Sequence, residues 1–155
     1  MLRLYHAALR HTEEMQRFLV PFALSTAEFV TLRVLRREPA PHVMTPTALH
    51  ETLVMSPGGI TKVLKQLESK SLVSRKSDQA DKRRNLVQLT ALGKSKITRV
   101  QQAVREFDVR LLERTLGRRE QDRLAQLLRK LLVSLEPTKS AAARAALVAA
   151  PPLNS

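Results

Sequence analysis

The spacing of apolar residues changes along the chain, and each change marks a predicted element. Leu2, Tyr5, Leu9, Met15, Phe18 and Leu19 recur in helical steps, with Arg3, Arg10, Glu13, Glu14 and Arg17 off that stripe. This predicts an amphipathic helix that ends before Pro21. Ser25-Thr-Ala-Glu28 is a capping box, in which the serine hydroxyl and the glutamate carboxylate satisfy orphan N–H groups reciprocally. It opens a second helix with Phe29, Leu32, Val34 and Leu35 inward, stopped by the run from Arg36 to Pro41. Val43 and Met44 allow a very short strand. Thr45-Pro46 begins a third helix with Leu49 and Leu53 inward, ending at Val54-Met55. Ser56 is an N-cap, and Pro57 sits in the first turn, where its missing N–H costs nothing. Ile60, Val63, Leu64 and Leu67 then share one face of a fourth helix. Its other face carries Thr61, Lys62, Lys65, Gln66 and Ser69, which all hydrogen-bond and none of which is acidic.

After Leu72 the period falls to about two. Val73 and Arg75 belong to one short strand, and Leu86 to Leu89 to another, with Val87 and Leu89 on one face. Between them, Lys76 to Asn85 is too polar to bury. Two helices at a tight turn, followed by a basic two-stranded ribbon, form the layout of a winged helix-turn-helix. Thr90 then caps a long helix striped by Ile97, Val100, Val104, Phe107 and Leu111, ended by Leu116-Gly117. Glu120 to Leu135 forms a last helix with Leu124, Leu127, Leu128, Leu131, Leu132 and Leu135 apolar. That is more leucine than one neighbouring helix covers. A second subunit is the economical cover, and an intramolecular bundle is the alternative. The expected class is mainly α with a small β-wing: a winged helix-turn-helix with N- and C-terminal dimerisation helices. The expected division is a DNA-binding lobe over 23–90, a helical dimerisation region over 1–22 plus 91–135, and an alanine-rich tail over 136–155.

Composition narrows the function. Aromatic residues make up only 3% of the 155, so the core is aliphatic, which suits helix-on-helix packing. Lysine and arginine total 27 against 14 acids, a formal net charge of +13 that favours a polyanion: nucleic acid first, an anionic membrane surface second. The chain has no cysteine, which excludes disulfides, thiolate metal sites and cysteine redox sensing. No apolar run approaches the ~18 residues of a membrane span. The N-terminal stretch reads as a helix and not a signal peptide, so the expected location is the cytoplasm. His6, His11, His42 and His50 have no metal-ligand spacing, and no nucleophile elbow or phosphate-binding glycine loop is present. An enzyme, a cofactor and a metal are therefore not expected.

Chemistry concentrates between Ser56 and Leu89, where eight cations face three acids. Lysine and arginine release counterions from a duplex and give affinity; donors aimed at base edges give choice. The expected DNA contacts on the fourth helix are Ser56, Pro57, Gly58, Thr61, Lys62, Lys65 and Gln66. Gln66 suits adenine, either lysine suits guanine, and Gly58-Gly59 lets backbone N–H groups approach phosphate. The ribbon contributes Arg75, Asp81, Lys82, Arg83 and Arg84. The Arg83 guanidinium at the tip suits a narrow minor groove, and Asp81 can hold it in place. The bland reading of these charges is a solvated face and an exposed turn.

Five segments stand in the order seen in one family: Ser25-Thr-Ala-Glu-Phe29, the SPGG-I-T-K run from Ser56 to Lys62, LESKSLV from Leu67 to Val73, Asp81-Lys-Arg83, and Leu89-Thr-Ala-Leu-Gly93. Over roughly residues 1–135 the chain resembles MarR-type transcriptional regulators. One departure is Ser71, where the family usually has glycine after the reading helix; glycine there suits a positive φ. The resemblance implies a homodimeric repressor on a pseudo-palindromic double-stranded operator, its half-sites about one helical turn, ~34 Å, apart. It assigns minor-groove entry to Arg83 and its positioning to Asp81. It also implies a small effector, a phenolic or other lipophilic anion, with Tyr5, His6, Arg10 and Phe22 as candidate contacts and Phe18 more simply core. The rival reading is an architectural winged-helix protein that binds nucleic acid without sequence preference or effector, and a weaker one is a protein-interaction scaffold.

Overall fold

The computed structural model describes residues 1–53, 55–77 and 85–135. Helix α1 (Leu2–Leu19) runs into a single 3-10 turn (Val20–Phe22), where Pro21 removes a donor and tightens the chain. Helix α2 (Thr26–Arg37) starts from the expected capping box: the Glu28 N–H donates to Ser25 Oγ at 3.2 Å, and the Ser25 N–H donates to Glu28 Oε2 at 2.7 Å. Strand β1 (Val43–Met44) leads to α3 (Pro46–Leu53), capped by Thr45 Oγ1, which accepts from the Ala48 N–H at 3.1 Å. Helix α4 (Pro57–Ser69) follows, then β2 (Val73–Ser77), β3 (Asn85–Leu89), α5 (Ala91–Glu113) and α6 (Arg118–Leu135).

The three strands form one antiparallel sheet in the order β1-β3-β2, with Val43 opposite Gln88 and Arg75 opposite Val87. The very short strand that Val43 and Met44 allow is therefore present, paired with the second ribbon strand. Its register turns Val73, Val87 and Leu89 inward, all at most 3% exposed. They join Leu19, Leu32, Leu35, Leu49, Leu64 and Leu67 in an aliphatic core behind α4. Each such leucine contributes about 1.5–3 kcal/mol by leaving water.

The chain divides into two compact units, Met1–Gln101 and Gln102–Ser155, so α5 contributes to both. In the first unit the entry to α5 is the tightest point. The Thr90 hydroxyl donates to the Ser71 carbonyl at 2.8 Å and accepts from the Gly93 N–H at 2.9 Å. A Cβ on Gly93 would stand 2.0 Å from the Leu72 carbonyl oxygen, so only glycine allows this approach. That is the physical content of the Leu89-Thr-Ala-Leu-Gly93 segment. In the second unit, α6 leaves Leu124, Leu127, Leu132, Val133 and Leu135 exposed, from 38% to 62%. No single helix among the described residues is long and apolar enough to cross a membrane.

Candidate nucleic-acid interface

Helix α4 owes its orientation to its apolar face. Ile60, Val63, Leu64 and Leu67 are at most 6% exposed, packed where α2, α3 and β2 meet α4. Their burial fixes Thr61, Lys62, Lys65 and Gln66 outward, and all four are exposed. Among the described residues the Lys62 and Lys65 ammonium groups and the Gln66 amide have no protein partner. The Thr61 hydroxyl donates to the Pro57 carbonyl at 2.8 Å, which leaves its oxygen as an acceptor. Ser56 caps the helix, accepting from the Gly59 N–H at 3.1 Å. Ser56, Pro57 and Gly58 are exposed at this end. A Cβ on Gly58 would meet nothing within 4 Å, so packing places no demand for glycine there. The turn between α3 and α4 is fastened by His50, whose Nδ1 bonds the Met55 carbonyl.

The far end of α4 is closed by a Schellman motif: the Leu72 N–H reaches the Leu67 carbonyl at 2.9 Å and the Ser71 N–H reaches Glu68 at 2.8 Å. Ser71 takes φ 57°, the left-handed conformation that glycine adopts without penalty. The departure from the usual glycine has not changed the turn; the serine is held in its geometry.

Two cations of the segment are committed to the protein itself. The Arg75 Nε donates to Glu68 Oε1 at 2.6 Å, which ties the first wing strand to α4 and spends part of the charge expected for phosphate. The Lys70 Nζ donates to Glu28 Oε1 at 2.6 Å and to the Ala23 carbonyl at 2.8 Å. Burial pushes the Glu28 carboxyl up, but the Lys70 hydrogen bond, the Ser25 N–H, the Lys70 charge and the Ser25 hydroxyl together outweigh it and hold the group below the usual glutamate range. Sequence reading missed this pair. The capping box announced one Glu28 oxygen, but no local signal announces a lysine 42 residues away. Lys76 is exposed on β2. Asp81, Lys82, Arg83 and Arg84, the expected wing tip, lie outside the described residues.

The residues expected to hold an effector are not brought together within the chain. Tyr5 and His6 are exposed, with ring centroids 5.9 Å apart. The Arg10 guanidinium donates to Glu13 at 3.0 Å on the helix surface. Phe22 is half-buried against Phe18, centroids 5.7 Å apart. Tyr5 and Phe18 are about 20 Å apart along α1, at 1.5 Å per residue. Among the described residues no group of three or more histidines and acids could hold a metal ion.

The profile of the MarR family matches residues 24–84, from the end of the α1–α2 link to the residue before β3. The transcriptional regulator HosA of Escherichia coli is 30% identical over 109 residues, 70% of this chain and 78% of that protein. A cysteine-to-serine variant of MarR from Escherichia coli, crystallised with operator DNA, superimposes with a TM-score of 0.72 at 30% identity, over 84% of this chain and 91% of that one. The transcriptional repressor CouR, bound to a DNA duplex, gives 0.75 at 27% identity, over 84% and 89%. With the capped reading helix, the three-stranded wing and the Gly93 entry in their places, the chain belongs to the MarR family of winged helix-turn-helix transcriptional regulators.

Proposed function

We propose that the protein acts as a cytoplasmic homodimer that binds a pseudo-palindromic operator and represses transcription from it in response to a small ligand. The observation that carries the DNA reading is the two-sidedness of α4. Its apolar face is buried, while Thr61, Lys62, Lys65 and Gln66 stand exposed, the two ammonium groups and the Gln66 amide without a partner among the described residues and the Thr61 oxygen free to accept. Bidentate pairing of Gln66 with adenine and of a lysine with guanine N7 and O6 is the chemistry those groups supply in a major groove. Ser56, Pro57 and Gly58 face the phosphates at the helix start, and Arg83, held by Asp81 and flanked by Lys82 and Arg84, enters the adjacent minor groove. Arg75 braces the ribbon through Glu68 and adds the rest of its charge to the phosphates.

The homodimer is supported by the uncovered apolar faces. Leu2, Tyr5 and Leu9 on α1 are 45–68% exposed, and α6 carries its exposed leucines besides. Exposed apolar faces of that kind, each taken by itself, mark interfaces. A lipophilic anion is the effector we propose, on Tyr5, His6, Arg10 and Phe22. Because Tyr5 and Phe22 stand at opposite ends of α1, one subunit would supply Phe22 and its partner the other three. No step of this function requires catalysis, a metal or a cofactor.

The test is selection of a 30-base-pair duplex from a random pool with the wild-type protein, followed by anisotropy titration against unselected duplex over a salt series. A regulator prefers the selected duplex by ~10³ or more. A steep salt slope without preference would establish the architectural reading instead, and no binding at all would leave only a scaffold. Arg83→Ala is expected to weaken binding by about tenfold or more, the worth of one good groove contact. Titrating the complex with a phenolic carboxylate such as salicylate checks the effector, and release of the duplex is the expected outcome.

A further inference from the structure

We propose that Lys70 is a positioning residue for the reading helix, acting through Glu28, and not a phosphate contact. The inference rests on α4 being the helix that reads DNA. By composition Lys70 belongs with the phosphate-binding cations, since it caps the C-terminal end of α4. Its bonds say otherwise. An ammonium has three N–H donors, and here one goes to Glu28 Oε1 and one to the Ala23 carbonyl.

Both acceptors are places where the lobe is assembled. Ala23, in the left-handed conformation, ends the 3-10 turn that links α1 to α2. Glu28 belongs to the capping box that starts α2, and its side chain is 3% exposed with both oxygens bonded. One ammonium thus draws the exit of α1, the start of α2 and the end of α4 onto a single point. Among the described residues the N-terminal end of α4 itself has only local polar ties, Ser56 to Gly59 and Thr61 to Pro57, with His50 fastening the turn before it. The buried apolar face decides which side of α4 looks outward, and the polar tie at its far end then sets the direction in which the helix presents Lys62, Lys65 and Gln66. It is fixed relative to α1, whose exposed apolar face the proposed dimer uses.

The two roles predict opposite signs for Glu28. If charge alone mattered, Glu28→Gln would remove a negative group from a DNA-binding lobe and tighten binding. A positioning pair requires the carboxylate, so the same change weakens binding. The experiment is anisotropy titration of the selected 30-base-pair duplex over a salt series with wild type, Lys70→Met, Lys70→Arg, Glu28→Gln and the Lys70→Met/Glu28→Gln double variant. Circular dichroism melts accompany each. We expect Lys70→Met and Glu28→Gln each to weaken binding about two- to thirtyfold, the range typical of coupling through a few side chains. The salt slope should stay that of wild type, the double variant should be no worse than either single, and Lys70→Arg should recover part of the affinity.

A slope reduced by about one in Lys70→Met, with Glu28→Gln neutral or tighter, would make Lys70 a phosphate contact and overturn the proposal. Wild-type affinity in both single variants would overturn it as well. Should Lys70→Met fail to fold, Glu28→Gln, nearly isosteric and still a hydrogen-bond acceptor, decides the sign alone. Failure of the wild type to select any duplex would remove the DNA reading and this inference together. Normal selection with unaffected variants would remove this inference only.

Discussion

Helices α4 and α6 carry similar apolar stripes and meet opposite fates. On α4, Ile60, Val63, Leu64 and Leu67 lie between 0% and 6% exposed. On α6, Leu127, Leu132 and Leu135 lie between 40% and 62%. The cover for α4 is in its own unit, supplied by α2, α3 and β2. Among the described residues α6 has no comparable cover. Periodicity therefore tells where a helix is apolar, and not whose surface it meets. The polar faces differ as well. Outward-facing residues of α4 are neutral or basic from Thr61 to Gln66, whereas Arg118, Arg119 and Arg123 on α6 are interleaved with Glu120 and Asp122. One face suits the polyanion proposed for it, and the other mixes both signs beside an apolar seam.

The sharpest way to break that comparison is a matched pair of substitutions. Leu64→Ala opens a cavity at a fully buried position and should cost about 2–5 kcal/mol. Leu127→Glu should leave the fold of each unit intact and remove the association. Melting temperature as a function of protein concentration separates the two, because only a dimer melts higher when concentrated. Wild type should show the dependence, Leu127→Glu should lose it, and Leu64→Ala should melt lower at every concentration. If Leu127→Glu kept the wild-type concentration dependence, the exposed seam would not be the interface.

Next in size is Gly93→Ala. The added methyl would lie 2.0 Å from the Leu72 carbonyl oxygen and 2.8 Å from Leu89 Cδ2. Backbone cannot yield as a flexible side chain does, so the start of α5 must move off the turn that closes α4. Overpacking of this kind costs about 1–3 kcal/mol or more. The equivalent change at Gly58 meets open space at a helical position and should raise the melting temperature slightly, because alanine restricts the unfolded chain. Chemical denaturation of the two variants side by side tests the contrast.

What the sequence showed in advance, and what it hid, follow the same division between local and distant causes. The N-caps at Ser25, Thr45, Ser56 and Thr90 are legible because each bonds a backbone N–H three residues on. The inward residues of α4 and of β3 are legible because burial imposes a period. Ends are blurred: α5 stops at Glu113 instead of Leu116, and α6 begins at Arg118 instead of Glu120. Charge counting fails where a cation has a private partner. Arg75 and Lys70 look like phosphate ligands until Glu68 and Glu28 are seen beside them, one across a turn and one across 42 residues. The candidate effector residues show the same division between local and distant causes. Helical spacing gives their faces but not their separation, and Tyr5 and Phe22 lie at opposite ends of α1.

The pH dependence of stability reports the Glu28 carboxylate, with its Lys70 and Ser25 partners, independently of DNA. The Glu28 carboxyl is held below its ordinary value in the folded chain, so the folded state binds fewer protons there than the unfolded state. Its contribution is complete above the unfolded-state value, about 4.3, and is lost as pH falls through the lower folded value. With Lys70 more than a third exposed and screened by water, the amount at stake is about 1 kcal/mol. Urea midpoints measured from neutral pH into that acid window should fall more steeply for wild type than for Glu28→Gln. Parallel curves would mean that the pair contributes nothing that titrates.

The smallest effect concerns the closing turn of α4, and its sign is the informative part. Ser71 holds φ 57°, where a Cβ crowds the backbone and costs about 1 kcal/mol relative to glycine. Its backbone bonds, from its N–H to Glu68 and from Thr90 to its carbonyl, are ones that glycine would make equally well. The serine hydroxyl has no partner among the described residues. Ser71→Gly should therefore relieve the crowding and lose no bond, against some extra freedom gained by the unfolded chain. A net gain of about 0.5 kcal/mol, read as a rise of one or two degrees in melting temperature, is expected. Affinity for the selected duplex should not change, because the turn geometry is already the one glycine takes. A rise in affinity with the same gain in stability would show that the strained serine tilts the wing. The end of α4, already anchored by Lys70, would then set the ribbon angle as well as the helix.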